Sequence, residues 1–397
     1  MKKKIVIILS IIIVLAIGFF YIFVNNVFVE NVFLDADELK KPDFLNDKKA
    51  VIYFSSPDYE NIDGMGASYA VFVDKNGQAT GVRMNGLDNG MMAKDGHRVF
   101  LEEEDKVRII GDHYKEFRFP DEEAQSFGEL SGYLKKDNMF FSIYNTGQGK
   151  SEDEYYSDVR YGNEKGFHTV GTIPHFIVTS GQIDDHIYII TDNDKNEEDG
   201  RKVELREVHI NKKGVKVKLI TNLKFKDNPS PITIQADEKY VYVIMNLQKD
   251  DHNGKTLVIR INKKTHHQDR FTLAKYKGMA DVNYIRPLDI KKSTHMLGDE
   301  LYYVNMLGDV YTFNTKTEKS KKKLSLQGYQ SGDRAAFHGK YYYVYKYNEK
   351  THKYSINQYD LKTGELVKQQ EIKGMKKIFS MNFFGKSIFS NDFMILD

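Results

Sequence analysis

The chain has 397 residues and a formal charge of +2, from 58 basic and 56 acidic side chains, so no global field draws it to nucleic acid. It contains no cysteine, which removes disulfides, thiolate metal sites and cysteine nucleophiles together. Stability must come from packing, with 26 tyrosines and 25 phenylalanines but no tryptophan to supply the large rings.

In chain order, Lys2, Lys3 and Lys4 precede an uncharged run from Ile5 to Val24, about the length that spans a hydrocarbon core. Residues 1–24 therefore read as an N-terminal transmembrane helix. The lysines hold the short side in the cytoplasm, which gives a single-pass protein of the cell membrane with the bulk of the chain extracytoplasmic. A cleaved signal peptide is the alternative, but no small-x-small site follows the run. Without its three lysines the rest of the chain is close to neutral. Residues 25–47 show no strand period and are assigned to a stalk. Pro42 marks where helix is least expected to persist.

From Lys48 onward one pattern recurs. A short polar turn introduces an apolar, β-rich run, as in DGHRVFL, DNMFFSI, DDHIYII, DEKYVYV, GDELYYV, HGKYYYV and FGKSIFS. The turn falls at Gly96, Asn138, Asp185, Glu238, Asp299, Gly339 and Gly385, at intervals of roughly 40 to 60 residues. All but the last run are followed by a second pattern, a strand ending in Asn or Asp and a lysine-rich turn, as in VHINKKGVKVKL and IRINKKTHHQDR. Asn, Asp and Gly tolerate the left-handed backbone that a hairpin needs.

A buried strand followed by a hairpin, repeated at this period, predicts an all-β fold: residues 48–397 form a β-propeller of seven blades, with eight as the alternative count. Five tyrosines lie between Tyr341 and Tyr347, on both faces of one strand. A blade's inner strands are covered on both sides by neighbouring blades, so rings are expected on both faces. Six prolines, from Pro57 to Pro287, are expected between the strands. The C-terminal piece is short of an outermost strand, which predicts closure by an N-terminal strand pairing into the last blade. Two β-sandwiches are the plainer alternative and require no common repeat.

The run from Tyr354 to Ile372, YSINQYDLKTGELVKQQEI, resembles the strand–turn–strand unit of bacterial propellers of the pyrroloquinoline-quinone-like and surface-layer repeat kinds. The resemblance implies the fold. Members of that group that bind the quinone stack it on tryptophan, which this chain lacks, so no quinone is carried over.

Catalytic patterns fail. GASYA, Gly66 to Ala70, misses the last glycine of a nucleophile elbow and reads as a strand serine. NTGQGKS, Asn145 to Ser151, lacks the first glycine of a phosphate loop and reads as a hairpin tip. Asp192, Asp194 and Asn196 alternate as oxygen ligands for calcium would, although Glu197 and Val203 stand where an EF-hand has glycine and the bidentate acid. No other cofactor is expected.

His175 lies just before an apolar strand near the expected channel, and His295 and His338 occupy comparable pre-strand positions. With Arg286 and Arg334 they form a candidate pocket for an anionic ligand, against the plainer reading of scattered turn residues. Lys316, Lys319, Lys321, Lys322 and Lys323 form a basic hairpin that could meet a polymer or lipid head groups, or simply guard a solvated edge. Glu102 to Asp105, EEED, balances the basic runs and, with the expected compartment, disfavours nucleic-acid binding.

Together these features favour a tethered module at the bacterial cell envelope that binds a protein or cell-wall polymer, rather than an enzyme. A propeller enzyme acting on a carbohydrate or lactone at the channel mouth, and a solute- or calcium-sensing ectodomain, are the alternatives.

Overall fold

The computed structural model describes residues 36–57, 66–120, 123–125, 127–148, 155–192, 201–225, 228–250, 252–278, 292–326, 330, 332–380 and 387–396. Residues 1–24, read above as a transmembrane helix, lie outside the described residues. Among those described, no helix is long and apolar enough to cross a membrane.

The strands form seven four-stranded antiparallel sheets. We number the blades from the first complete one in the chain. Before it come a short helix, α1 (Ala36–Leu39), and three strands, β1 (Lys48–Ser55), β2 (Ala67–Asp74) and β3 (Ala79–Asn85). Blade 1 comprises β4 (Met92–Lys94), β5 (Val99–Glu102), β6 (Lys106–Ile110) and β7 (Lys115–Arg118). Blade 2 comprises β8 (Gly128–Leu134), β9 (Met139–Gln148), β10 (Tyr155–Asn163) and β11 (Gly166–Ile173). Blade 3 comprises β12 (Ile177–Ile183), β13 (His186–Asp192), β14 (Arg201–Asn211) and β15 (Gly214–Phe225). Blade 4 comprises β16 (Asn228–Ala236), β17 (Tyr240–Asp250), β18 (Asn253–Asn262) and β19 (Gln268–Tyr276). Blade 5 comprises β20 (Thr294–Leu297), β21 (Glu300–Val304), β22 (Asp309–Asn314) and β23 (Lys319–Ser325). Blade 6 comprises β24 (Arg334–His338), β25 (Tyr341–Asn348), β26 (Lys353–Asp360) and β27 (Leu366–Ile372). After a second short helix, α2 (Met375–Ser380), the last strand, β28 (Phe389–Ile395), completes blade 7 in the order β28-β1-β2-β3.

An N-terminal strand, β1, does pair with the C-terminal strand to close the ring, as expected, but the share of each end differs. The C-terminus gives the innermost strand of the shared blade and the N-terminus gives the other three. The apolar β28 reads in sequence like the second strand of a blade, which concealed its place.

Seven blades make seven interfaces, and each holds its own apolar cluster. Tyr343 and Tyr345 face blade 7, packing with Ile52, Phe54 and Val71. Tyr342 and Val344, from the other face of the same strand, pack with Tyr302 and Val304 of blade 5. Alternating side chains of one strand thus enter two different cores, which explains the tyrosines on both faces.

The hairpin turns are built alike. Asn163, Asn211, Asn262, Asn314 and Asp360 each end the third strand of a blade, and each side-chain oxygen accepts the N–H two residues on, at 2.8 to 3.1 Å. Asp74 makes the same bond in blade 7. These turns and the turns between first and second strands lie on one face of the disc, called here the entry face, because β1 starts and β28 ends there. Residues 36–47, assigned above to the stalk, pack on this face: Leu39 and Phe44 are buried, and Phe44 meets Phe72 edge-on at 5.0 Å.

Two further expectations change. Pro229 and Pro231 lie inside β16, not between strands. They sit on an innermost strand, whose second edge faces the channel, so a missing donor there breaks no ladder. Glu102 and Glu103 of the EEED run are fully buried, so their charge does not balance the basic runs at the surface.

Candidate functional site

The innermost strands ring a central channel. Toward the entry face it widens into a cavity of about 480 Å³, lined from β4, β8, β12, β20, β24 and β28. That volume falls in the range of small-molecule sites.

One wall is aromatic. His295 of β20 stacks on Phe337 of β24, with ring centroids 5.0 Å apart and planes 14° apart. Burial pushes the His295 imidazole below its ordinary pKa, partly offset by a hydrogen bond to the Gly339 backbone. At neutral pH it is uncharged, one ring nitrogen a donor and the other an acceptor. His338, at the exposed end of β24, lines the same cavity.

The polar wall is tied to the frame. Lys94 donates to the carbonyl of Ile395 at 2.7 Å. Gln182 donates to the carbonyls of Tyr133 at 2.6 Å and Asp184 at 2.7 Å, joining blades 2 and 3 at the rim. Lys292 pairs with Asp392 of β28 and donates to the carbonyl of Phe393 at 2.9 Å. Asp392 also accepts the N–H of Met92 at 2.9 Å, binding the closing strand to blade 1.

Deeper, buried carboxylates serve the scaffold. Glu102 accepts the N–H of Met91 at 2.6 Å and the hydroxyl of Ser131 at 2.9 Å; burial raises its pKa against these bonds. Glu129 accepts Ser180 at 2.8 Å and Asn145 at 3.2 Å. Arg160, itself buried, donates to the carbonyls of Glu103, Glu104 and Glu123, and its guanidinium lies between Phe119 and Tyr144, 4.2 and 4.9 Å from the ring centroids.

Of the five residues proposed for an anionic pocket, the structure brings together His295 and His338. Arg334 begins β24 while His338 ends it, so its Cα lies roughly 13 Å along the strand, and its guanidinium donates to the Asp333 carbonyl. His175 sits half-buried where the chain enters β12, at the opposite face, with its pKa lowered by burial and by Arg206. Arg286 lies outside the described residues, as do Asp194, Asn196 and the side chain of Asp192. The basic hairpin is an outer edge of blade 5: Lys316 pairs with Asp299, Lys322 with Asp309, and Lys323 bonds the Tyr302 hydroxyl, while Lys319 and Lys321 are exposed. Ser68 of GASYA is a buried strand serine that accepts the N–H of Leu87 at 3.0 Å. Sequence reasoning missed Gln182, Lys94 and the Lys292–Asp392 pair. Their only signal was position at an inner strand, which no local motif marks.

Seven blades around a channel, closed where the C-terminal strand pairs with the first N-terminal one, define a β-propeller protein. Comparison with known families makes this particular: the chain belongs to the YycP β-propeller family, whose model, described as the YycP beta-propeller domain, matches residues 43–396. It is 28% identical over 352 residues to the uncharacterized protein YycP of Bacillus subtilis (strain 168), covering 86% of this chain and 87% of that one. Among solved structures, apo AztD from Citrobacter koseri is similar with a TM-score of 0.44 and 9% identity, covering 82% of this chain and 96% of its own.

Proposed function

We propose that the protein is a membrane-tethered, extracytoplasmic binding module of the cell envelope, and that the channel mouth on the entry face is its recognition surface for an envelope protein or a cell-wall polymer. The observation that carries this reading is the mouth itself. A stacked His295–Phe337 wall, His338 and the amide of Gln182 converge on one cavity, while the carboxylates behind it are committed to holding strands. Such a wall offers apolar faces and hydrogen bonds, the mix that binding sites use. The uncharged run from Ile5 to Val24, after three lysines, supports the tether. Kinship with quinone-type or surface-layer repeats belongs to this proposal as repeat ancestry, without the quinone. Calcium on the loop from Asp192 to Asn196 is a further, separable part of it, checked by whether EDTA lowers the melting temperature.

The test is site-specific photo-crosslinking in cells, with the probe at His338 and a control probe at Val367 on the outer edge strand of blade 6, where the side chain is 53% exposed. A discrete adduct from position 338 and none from 367 is expected. Equal labelling at both, or none at 338, overturns the proposal.

A further inference from the structure

The entry face carries a second feature besides the channel mouth. In blades 3 and 4 the outer hairpins read Asn211-Lys-Lys-Gly214 and Asn262-Lys-Lys-Thr265. The same Asn-capped turn in both presents Lys212, Lys213, Lys263 and Lys264 at the rim, with Lys216 following on β15. The two hairpins belong to neighbouring blades: Gln268 bonds Thr221 and Asn222, and Arg270 bonds the Lys224 carbonyl. Among the described residues, none of these five ammonium groups has an ion-pair partner; Lys263 lies over the Tyr188 ring at 5.8 Å.

The nearby acids are engaged. Asp237 accepts two backbone N–H groups and the Tyr242 hydroxyl, Glu207 is flanked by His186 and His209, and Asp269 is held by Arg260. Glu238 in the first turn of blade 4 and Asp184 in the first turn of blade 3 are the exposed acids beside the patch. The basic hairpin of blade 5 differs, since three of its lysines are already partnered.

Position gives the patch its meaning. In a ring of seven, blades 3 and 4 stand opposite blade 7, where the chain enters, and both sit on the entry face. We propose that the Lys212–Lys213–Lys263–Lys264 rim is a docking surface for anionic phospholipid head groups, and that it lays the entry face flat against the bilayer. The orientation rests on the tether proposed above; the lipid contact does not. An anchor on one side and basic residues on the other make two attachment points, and a second weak contact gains strongly once the first is held. The channel mouth then opens toward the membrane surface, and its ligand is one presented there.

The absence of cysteine allows single labels. The full-length chain is placed in nanodiscs of phosphatidylcholine, with or without phosphatidylglycerol, carrying a donor dye at Thr265→Cys on the rim or at Glu349→Cys on the opposite face, and an acceptor in the lipid. Energy transfer from position 265 is expected to rise with phosphatidylglycerol, to fall at high salt, and to lose the rise in K212E/K213E/K263E/K264E, with position 349 unchanged. The same variant should bind phosphatidylglycerol vesicles at least about tenfold more weakly in cosedimentation. Transfer at 265 that ignores lipid charge, together with equal vesicle binding, overturns the proposal. Patch-dependent binding to soluble poly(glycerol phosphate) with no lipid response overturns it in favour of a polymer contact. Failure to insert into neutral nanodiscs sinks the tether alone, and patch-dependent vesicle binding then still upholds the lipid contact.

Discussion

Two buried charges show how single residues set the molecule's behaviour. Burial beside β28 raises the Asp333 carboxyl to about 6, against the pull of Lys346, the Gln330 N–H and Arg334. The folded state therefore holds this proton more tightly than the unfolded chain does. Stability from the group is fully present below about pH 4 and is lost as pH rises through about 6. Asp333→Asn is expected to raise the melting temperature at pH 7.5 by a few degrees and to change it little at pH 4. An equal shift at both pH values would contradict this. Arg160 works differently, as a guanidinium fork spanning three carbonyls. Arg160→Met takes a donor from all three carbonyls, of which Glu104 keeps the Gln125 N–H and Glu123 the Gln125 side chain, and should cost on the order of 1 to 3 kcal/mol in urea unfolding. Arg160→Lys should recover little, because an ammonium cannot fill a planar slot between two rings. Near-wild-type stability of either variant would show that blades 1 and 2 are held by packing alone.

At the scale of elements, the closing strand has the most to do. β28 pairs with β1, and its side chains reach in three directions: Ser390 to the Gly332 carbonyl, Asn391 to Ser55, and Asp392 to the Met92 N–H and Lys292. Removing Phe389 to Asp397 exposes the inner edge of β1 and frees Lys292 of its partner. Loss of cooperative unfolding and aggregation are expected, and a soluble, cooperatively folded product would refute the role given to this strand. Tyr342→Asp, which places a carboxylate in the interface with blade 5, should be severely destabilising by the same measurements. The hairpins were the most legible part of the sequence. Turns at Gly96, Asn138, Asp185, Glu238, Asp299 and Gly339 fall where strands one and two of blades 1 to 6 meet; all but the turn of blade 4 hold a residue with left-handed backbone, Gly96, Asn138, Asp184, Gly298 or Gly339, which restricts the residue type. Gly385 lies outside the described residues. The placement of β28 was not legible, since a strand's neighbours are set by ring closure and not by its own residues. Nor could EEED reveal that Glu102 and Glu103 point inward, because the partners that satisfy them come from distant turns and strands.

At the scale of the whole molecule, the ring gathers what sequence leaves scattered. His295 and His338 are 43 residues apart in numbering, yet they share a wall because β20 and β24 are adjacent inner strands. Arg334 and His175 pointed to the channel equally well in sequence. Only the direction in which each inner strand runs decides which face a residue reaches. Seven separate interface clusters replace one core, so the channel wall is fixed by its surroundings and the mouth is preformed. The most direct test of the proposed role is quantitative affinity enrichment from solubilised membranes, comparing the full-length chain, H295A/H338A and an anchor-only control. The account predicts a component retained by the full chain and lost from both others, with the double variant still folded. The same set of components in all three would contradict it.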